Sequence, residues 1–181
     1  MRTEVGVTVD DDEVSVLVPV VQFDALPMSA AAELLTPCCA SSRWVHQVLL
    51  GRPYHSLRVL SAASDDVLAD LAWSDVAEAL AGHPRIGDRA EGAGREAGWS
   101  RTEQAGTQQA GDAVAAELRA GNIAYEQRFG HVFLICATGR SAEQMLAALQ
   151  QRLGNPTAME RDVVRAELQA IVRLRLIKTF R

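Results

Sequence analysis

Cysteine is scarce in this sequence of 181 residues, which contains only Cys38, Cys39 and Cys136. Two adjacent thiols and one distant thiol form neither a disulfide framework nor a pattern of zinc ligands. We therefore expect reduced thiols in a core, as is typical of cytoplasmic proteins. The four histidines include no His-x-x-x-His pair and no acidic cluster at ligand spacing, so the sequence offers no metal site.

Long apolar runs and clustered basic charge are also missing. The apolar runs are far shorter than the ~20 residues that cross a bilayer, and the acidic run from Asp10 to Glu13 does not fit a signal peptide. The formal net charge of −5 argues against binding to the phosphate backbone of nucleic acids. We expect a cytoplasmic protein without a membrane or nucleic-acid partner, in which one or two arginines could still hold a small anion.

Motifs of the common nucleophilic and nucleotide-binding enzymes are absent as well. No serine stands in a nucleophile elbow, so Ser-His-Asp catalysis has no support. No glycine-rich phosphate loop follows a strand, and the sequence contains no internal repeat. The function must therefore be sought in individual polar residues.

Helical periodicity is what the sequence does contain. Hydrophobic residues make up 48% of the chain, enough for a core without disulfides or metals. Apolar spacings of three and four, with the residues that begin and end helices, predict an all-α domain of roughly seven to nine helices. The first predicted helix is Ser29–Leu35, and a second begins at Ser41. The pattern within Ala63–Ala81 fits one helix or a broken pair. A further helix begins at Ser100 and runs to Gly130 with or without a break at Gly111, and others begin at Ser141 and at Thr157.

Two segments depart from this helical pattern. In residues 1–22, valines alternate with polar residues on both sides of an acidic run, which fits either a marginal β-hairpin or a disordered extension. The helical domain is therefore expected to span residues 23–181. Within it, His131–Ala137 is a short apolar run predicted to be extended, so its main-chain groups are not spent inside a helix. Residues 87–99 are predicted to form an irregular connection.

The segment Ala81-Gly82-His83-Pro84-Arg85-Ile86-Gly87 is the most informative stretch. A residue before proline is pushed out of the α region, so His83 stands on a rigid corner after a helix. With a pKa near neutrality it could give or take a proton, and rigid placement suits proton transfer. The alternative is that His83 only caps the helix, since a positive charge is favourable at a helix C-terminus.

Ser100-x-x-Glu103 has the form of a capping box. In that interpretation Glu103 bonds back to the main chain at Ser100 and does nothing else. A helix start also presents unpaired N–H groups that bind carboxylates, so the stretch Ser100-Arg101-Thr102-Glu103-Gln104 could instead form a substrate cradle. The side-chain amide of Gln104 would suit an amide or ureido group.

Four arginines are candidate holders of a carboxylate, because the guanidinium group matches carboxylate geometry. They are Arg85, Arg101, Arg152 and Arg175. Each could equally be an ordinary surface charge. Arg173 and Arg175 flank Leu174 in an amphipathic helix, so these two cannot face the same way.

Taken in order, these residues resemble the family of 2-oxo-4-hydroxy-4-carboxy-5-ureidoimidazoline (OHCU) decarboxylases. The resemblance runs from about Phe23 to Ile177. It rests on Leu34-Leu35 with Cys39 and Trp44-Val45, Arg52-Pro53, Ala81-Gly82-His83-Pro84-Arg85-Ile86-Gly87, Ser100-x-x-Glu103-Gln104-Ala105-Gly106, Asn122-x-x-Tyr125-x-x-Arg128-Phe129-Gly130, Phe133-Leu134-Ile135-Cys136-Ala137, Arg152-Leu153-x-Asn155, Glu160 and Leu174-Arg175-Leu176. Here His131-Val132 stands where the family often has Phe-Pro.

The resemblance implies an all-α homodimer with no metal or organic cofactor. It implies decarboxylation of OHCU to (S)-allantoin in urate catabolism, with His83 as the catalytic acid and Glu103 as its carboxylate partner. The substrate contacts that it implies are Pro84, Ser100, Arg101, Thr102, Glu103, Gln104, Phe133, Leu134, Ile135, Cys136 and Ala137, with Arg175 on the substrate carboxylate.

Two other functions are compatible with the same residues. The chain could be a non-catalytic helical protein that binds a small anionic, ureide-like metabolite, and only the enzyme would then release CO₂. It could also be an interaction domain in which both motifs are helix caps. That last alternative predicts no cavity shared by His83, Glu103 and residues 133–137.

Overall fold

The chain folds as a helical domain in a computed structural model that describes residues 17–87, 95–104, 106 and 111–181. The all-α prediction is confirmed, because these residues form nine helices and no strand. No helix among them is long and apolar enough to cross a membrane. The helices are α1 (Val20–Ala25), α2 (Met28–Leu35), α3 (Ser42–Leu50), α4 (Leu57–Asp70), α5 (Trp73–Ala81), α6 (Arg95–Glu103), α7 (Asp112–Phe129), α8 (Ala142–Arg152) and α9 (Thr157–Thr179).

The long helix α9 lies at the centre of the main apolar core. Val164, Leu168, Val172 and Leu176 follow one another at spacings of four and are fully buried, as expected for one face of a helix. Each such side chain contributes roughly 1.5–3 kcal/mol when it leaves water. A second cluster joins α7 and α8 to the segment after α7, so both cores border that segment.

The two ends of the domain are tied together. Val18 pairs with Phe180 in an isolated parallel bridge, and the amide of Val18 donates to the carbonyl oxygen of Thr179 at 2.8 Å. The ring of Phe180 packs edge-on against Phe23, with 4.9 Å between centroids. The packed domain therefore begins before the boundary predicted at Phe23. Residues 1–16, which carry most of the predicted extension, lie outside the described part of the chain.

The predicted helical pattern within Ala63–Ala81 is a broken pair. Helix α4 ends at Asp70, and α5 begins at Trp73 after two extended residues. The side chain of Ser56 accepts a hydrogen bond from the amide of Val59, so α4 begins earlier than predicted. The break matters for the site, because α5 is a separate helix that ends immediately before Gly82 and His83.

The predicted start of a helix at Ser100 is wrong. Helix α6 already begins at Arg95, so Ser100 and Glu103 belong to its last turn. The hydroxyl of Ser100 contacts the guanidinium of Arg175 and does not cap a helix start. Gly111 precedes a separate helix, α7. The predicted irregular connection over 87–99 thus holds for Gly87 alone among its described residues, and residues 88–94 lie outside the description.

The segment after α7, predicted to be extended, is not helical, since residues 131–137 lie outside any helix. Gly130 ends α7 with a positive φ of 76°, a conformation that glycine adopts without steric cost. At the other end α8 begins as predicted after Ser141, which forms a capping box with Gln144. The segment is therefore anchored at both ends by turns encoded in the local sequence.

All three cysteines carry free thiols. Cys38 and Cys39 are fully buried, as expected of core residues. Burial raises the pKa of Cys39 to about 12, so that thiol stays protonated at neutral pH. Cys136 is half-buried, and it belongs to the extended segment.

Candidate active site

A cavity that is partly open to solvent lies where the turn after α5, the last turn of α6, the extended segment and one face of α9 meet. An interaction domain with two unrelated caps would not require such a shared cavity. Most of the predicted site residues line it together. The lining residues are His83, Pro84, Ile86, Ser100, Glu103, Gln104, Phe133, Leu134, Ile135, Cys136, Ala137, Thr138, Ile171, Leu174 and Arg175.

His83 is held by the end of α5. Its amide donates to the carbonyl oxygen of Leu80 at 3.0 Å, and its Nδ1 lies 2.9 Å from the carbonyl oxygen of Ala79. A carbonyl only accepts, so Nδ1 carries the proton and Nε2 carries the lone pair. Nε2 is buried and has no hydrogen-bond partner among the described residues. The ring therefore presents one unused acceptor at the cavity.

The prediction that His83 has a pKa near neutrality is wrong. Burial of the imidazole and the positive charge of Arg175 lower the pKa of His83 to about 4. The hydrogen bond to Ala79 and the charge of Glu103 act in the opposite direction but are smaller. At neutral pH the ring is uncharged, so His83 must accept a proton before it can donate one.

Two residues of the last turn of α6, Ser100 and Glu103, and the residue that follows the helix, Gln104, face the cavity. Ser100, Glu103 and Gln104 follow the spacing of three and four that places side chains on one helix face, and all three line the cavity. Thr102, also predicted to contact substrate, is exposed, and its hydroxyl donates back to the carbonyl oxygen of Gly98 at 3.2 Å. The side chain of Arg101 lies outside the described part of the chain.

Glu103 is bound by α9 and not by His83. Arg175 grips its carboxylate with two nitrogens, Nη2 at 3.0 Å from Oε2 and Nε at 3.3 Å from Oε1. The single lysine of the sequence, Lys178, adds Nζ at 3.2 Å from Oε1. Burial alone would raise the pKa of Glu103, but hydrogen bonds and charge from Arg175 and Lys178 outweigh it and lower that pKa. The hydrogen-bond partner of the His83 ring is therefore the carbonyl of Ala79, and Glu103, the carboxylate partner implied by the resemblance, bonds to Arg175 and Lys178 instead.

The turn that carries His83 and Pro84 is fastened on two sides. The side-chain amide of Asn122 donates to the carbonyl oxygen of Ile86 at 2.8 Å, while Gln104 accepts from the amide of Gly87 at 3.1 Å. Arg85, a candidate holder of a carboxylate, instead pairs with Glu126 of α7 at 2.6 Å. These contacts give the turn a fixed position relative to α6 and α7.

The main-chain groups of the extended segment are not all available to a ligand. The carbonyl of Leu134 accepts from Arg152 at 2.8 Å, and the amide of Cys136 donates to Glu167 at 2.8 Å. The carbonyl of Cys136 also accepts from Arg140. These main-chain groups are therefore used to hold the segment in place and are not open to a ligand.

Arg152 supports the cavity wall from behind. It pairs with Glu160 at 2.7 Å, and both side chains are buried, with 8% and 0% exposed. Tyr125 donates a hydrogen bond to the same carboxylate, and the guanidinium lies 4.6 Å from the centroid of Phe133. Arg152 is therefore committed to the protein. Glu160 lies in the first turn of α9, and its buried carboxylate accepts hydrogen bonds from Arg152 and Tyr125.

Five residues at the site were not predicted from the sequence. Ile86, Thr138, Ile171 and Leu174 line the cavity, and Lys178 reaches Glu103. A usable signal was present in α9. Positions 171, 174, 175 and 178 are spaced by three, four and seven, which places them on one face of the helix.

Comparison with known proteins gives a consistent result. The family model described as OHCU decarboxylase matches residues 24–177. The chain is 32% identical over 142 residues to the 2-oxo-4-hydroxy-4-carboxy-5-ureidoimidazoline decarboxylase of Amia calva, covering 77% of this chain and 78% of the relative. It is 31% identical over 149 residues to the uric acid degradation bifunctional protein TTL of Arabidopsis thaliana. That match covers 79% of this chain but only 45% of the plant protein.

Solved structures show the same fold. A crystal structure of OHCU decarboxylase in the presence of (S)-allantoin aligns with a TM-score of 0.71 at 28% identity, covering 81% of this chain and 96% of the other. A crystal structure of (S)-allantoin synthase aligns with a TM-score of 0.67 at 19% identity, covering 90% of this chain and 54% of the other. At that lower identity the second likeness shows the fold alone.

Proposed function

Because the chain belongs to the OHCU decarboxylase family, we propose that it converts OHCU to (S)-allantoin with release of CO₂. One observation carries the proposal beyond family membership. The Nε2 atom of His83 is a buried acceptor without a partner among the described residues, and it shares a cavity with Arg175 and Glu103. A neutral base can move a proton and a nearby cation can hold a carboxylate, so the pair suits a decarboxylation with an internal proton shift.

The substrate's own chemistry defines what the site must do. One ring carbon carries both a hydroxyl and a carboxylate, and the next carries the ureido group. The carboxylate leaves as CO₂, and its electron pair passes into the ring. The hydroxyl loses its proton and becomes a carbonyl, the ureido-bearing carbon gains a proton, and a ring nitrogen takes one more from solvent. The substrate delocalises the electron pair itself, so this step requires no separate electron sink.

His83 is suited to move the proton between the two ring carbons. Its Nε2 lone pair takes the hydroxyl proton, and the imidazolium that forms returns a proton to the neighbouring carbon. A positioned acid–base group contributes roughly 10²–10⁴-fold to a rate. Because Nδ1 is committed to Ala79, only Nε2 can serve, and delivery from one side accounts for a single enantiomer of allantoin.

Arg175 is the proposed holder of the substrate carboxylate. Its side chain is 1% exposed, and a guanidinium fork matches a carboxylate with two hydrogen bonds. The hydroxyl of Ser100 contacts the same guanidinium at 3.3 Å, which fixes its direction. Glu103, ionised at neutral pH, bonds to the same guanidinium, and in the proposed mechanism it orients the substrate hydroxyl.

The remaining lining residues would hold the flat ureido and ring groups. Gln104 is tied to Gly87 through its side-chain oxygen, which fixes the direction of the amide. Pro84 and the segment 133–137 supply an apolar wall with main-chain polar groups interspersed. The proposal includes substrate contacts by these residues. It also includes a homodimeric protein that acts in the cytoplasm.

The decisive experiment generates the short-lived substrate in the cuvette. Urate is oxidised and hydrolysed by the two upstream enzymes, and circular dichroism follows the formation of allantoin with and without this protein. We expect rapid formation of one enantiomer together with CO₂ release. Allantoin that forms at the uncatalysed rate and as a racemate would leave the chain as a binding protein. Light scattering on the purified protein tests the dimer.

A further inference from the structure

Lys178 occupies an unusual place for the only lysine of a chain whose Lys and Arg residues number 18. It lies in the last turn of α9, one turn after Arg175, and just beyond the matched segment 24–177. Its Nζ is 3.2 Å from Glu103 Oε1, and it lies 5.9 Å from the centroid of the Trp99 ring. The only lysine side chain of the sequence thus contacts Glu103, the carboxylate that lines the cavity.

The contact gives Glu103 two cationic partners of different burial. Arg175 is 1% exposed, whereas Lys178 is 34% exposed, and Glu103 between them is 10% exposed. A substrate carboxylate that approaches Arg175 meets the carboxylate of Glu103 on the same guanidinium. Two carboxylates that share one cation repel each other unless a second cation takes part of the charge. Lys178 is placed to do that.

We propose that Lys178 is a positioning residue that retains Glu103 while Arg175 takes the carboxylate of the substrate. The inference rests on the proposed function and deepens it, since it explains how one buried arginine can serve two anions. Lys178 itself does not line the cavity. It acts through Glu103, and its effect should therefore fall on the binding of carboxylated ligands.

This role of Lys178 predicts different effects on the binding of substrate and of product. OHCU carries the carboxylate, and allantoin has lost it. Without Lys178, Glu103 depends on Arg175 alone and competes with the substrate. Allantoin has no carboxylate to compete with Glu103 for the Arg175 guanidinium, so its binding should not depend on Lys178.

The test compares Lys178→Met, Lys178→Arg and the control Arg173→Met. Arg173 lies on the same helix but pairs with Asp65, away from the cavity, so its substitution removes the same charge from α9. For Lys178→Met we expect a rise in the KM for OHCU of roughly fivefold to twentyfold, with kcat changed less than about threefold, as for loss of one partly exposed charge contact. The inhibition constant of (S)-allantoin should not change. Lys178→Arg should keep KM within about threefold of wild type, and Arg173→Met should have no effect on either constant.

The single lysine allows the same test without mutation. An amine-selective acetylating reagent removes the charge of Lys178, whereas reductive methylation with formaldehyde and a hydride donor keeps it. We expect acetylation to raise KM and methylation to leave it near the untreated value. The Lys178→Arg protein, treated in parallel, corrects for reaction at the terminal amine.

Two results would overturn the inference while the proposed function stands. One is an active Lys178→Met protein with the KM of wild type. The other is a parallel rise of KM and of the allantoin inhibition constant, which would indicate general distortion of the cavity. A wild-type protein that does not accelerate CO₂ release would instead overturn the proposed function, and the inference with it.

Discussion

The Nδ1 atom of His83 lies 2.9 Å from the carbonyl oxygen of Ala79, a main-chain group of the last turn of α5. This one contact fixes the tautomer, the ring orientation and the direction of the free Nε2. His83 therefore combines the two roles considered from the sequence, a helix cap and a proton-transfer group, because the residue that closes the helix end also presents a lone pair to the cavity.

Replacement of His83 should abolish most of the catalysis and spare the fold. We expect His83→Asn to lower kcat for OHCU by roughly 10²–10⁴-fold, the usual contribution of a positioned acid–base group, with an unchanged helical circular dichroism spectrum. His46→Asn, on the exposed face of α3, is the matched control and should keep full activity. A folded His83→Asn protein with wild-type turnover would remove His83 from the mechanism.

The neutral state of His83 should make stability depend on pH. Its pKa is about 4 in the folded protein against an ordinary value of 6.5, so the unfolded chain binds more protons between these values. The stabilisation is complete above pH 6.5 and is lost as the pH falls towards about 4. Urea unfolding at pH 7.5 and 5.0 should show a decrease in the unfolding free energy of wild type of about 1–2 kcal/mol relative to His83→Asn. An equal change in both proteins would contradict a buried neutral ring.

The buried pair of Arg152 and Glu160 should be costly to break. Arg152→Met leaves the fully buried carboxylate of Glu160 without its cation, and we expect a loss of about 3–5 kcal/mol in unfolding free energy. The exposed pair of Arg173 and Asp65 provides the control, since Arg173→Met should cost about 0–1 kcal/mol. Comparable losses in the two variants, measured by urea unfolding, would mean that Arg152 is not the support of the cavity wall.

A tight approach at Gly106 predicts a second stability difference. A Cβ added there would lie 2.1 Å from the carbonyl oxygen of Arg140, a main-chain atom that cannot simply rotate away. We expect Gly106→Ala to cost roughly 1–3 kcal/mol. At Gly111 nothing lies within 4 Å of the added Cβ, so Gly111→Ala should change the unfolding free energy by less than about 0.5 kcal/mol. Thermal unfolding of the two variants decides between them, and equal melting temperatures would count against the close approach.

Local sequence sufficed where a turn or cap is self-contained. Ser141 and Gln144 begin α8 as their capping-box spacing predicts, and Gly130 ends α7 with the left-handed conformation that glycine allows. The all-α class and the meeting of His83, Glu103 and residues 133–137 were likewise accessible, the latter through the family resemblance.

Local sequence did not predict the structure where a side chain bonds to a residue that is distant in the sequence. Ser100 and Glu103 have capping-box spacing, yet both are claimed by Arg175 from α9, and the helix begins upstream at Arg95. Glu160 follows Thr157 at the same spacing but is buried against Arg152. The pKa of His83 was missed for a related reason, because burial and the charge of Arg175 are properties of the assembled fold.

The acceptor that fixes His83 is a backbone carbonyl, which limits the substitutions that can alter the ring. No amino-acid replacement at position 79 can delete a main-chain oxygen, so the correct tautomer is inherited with the helix end and needs no dedicated side chain. The residues that line the other walls of the cavity can then change while His83 keeps the same tautomer and orientation.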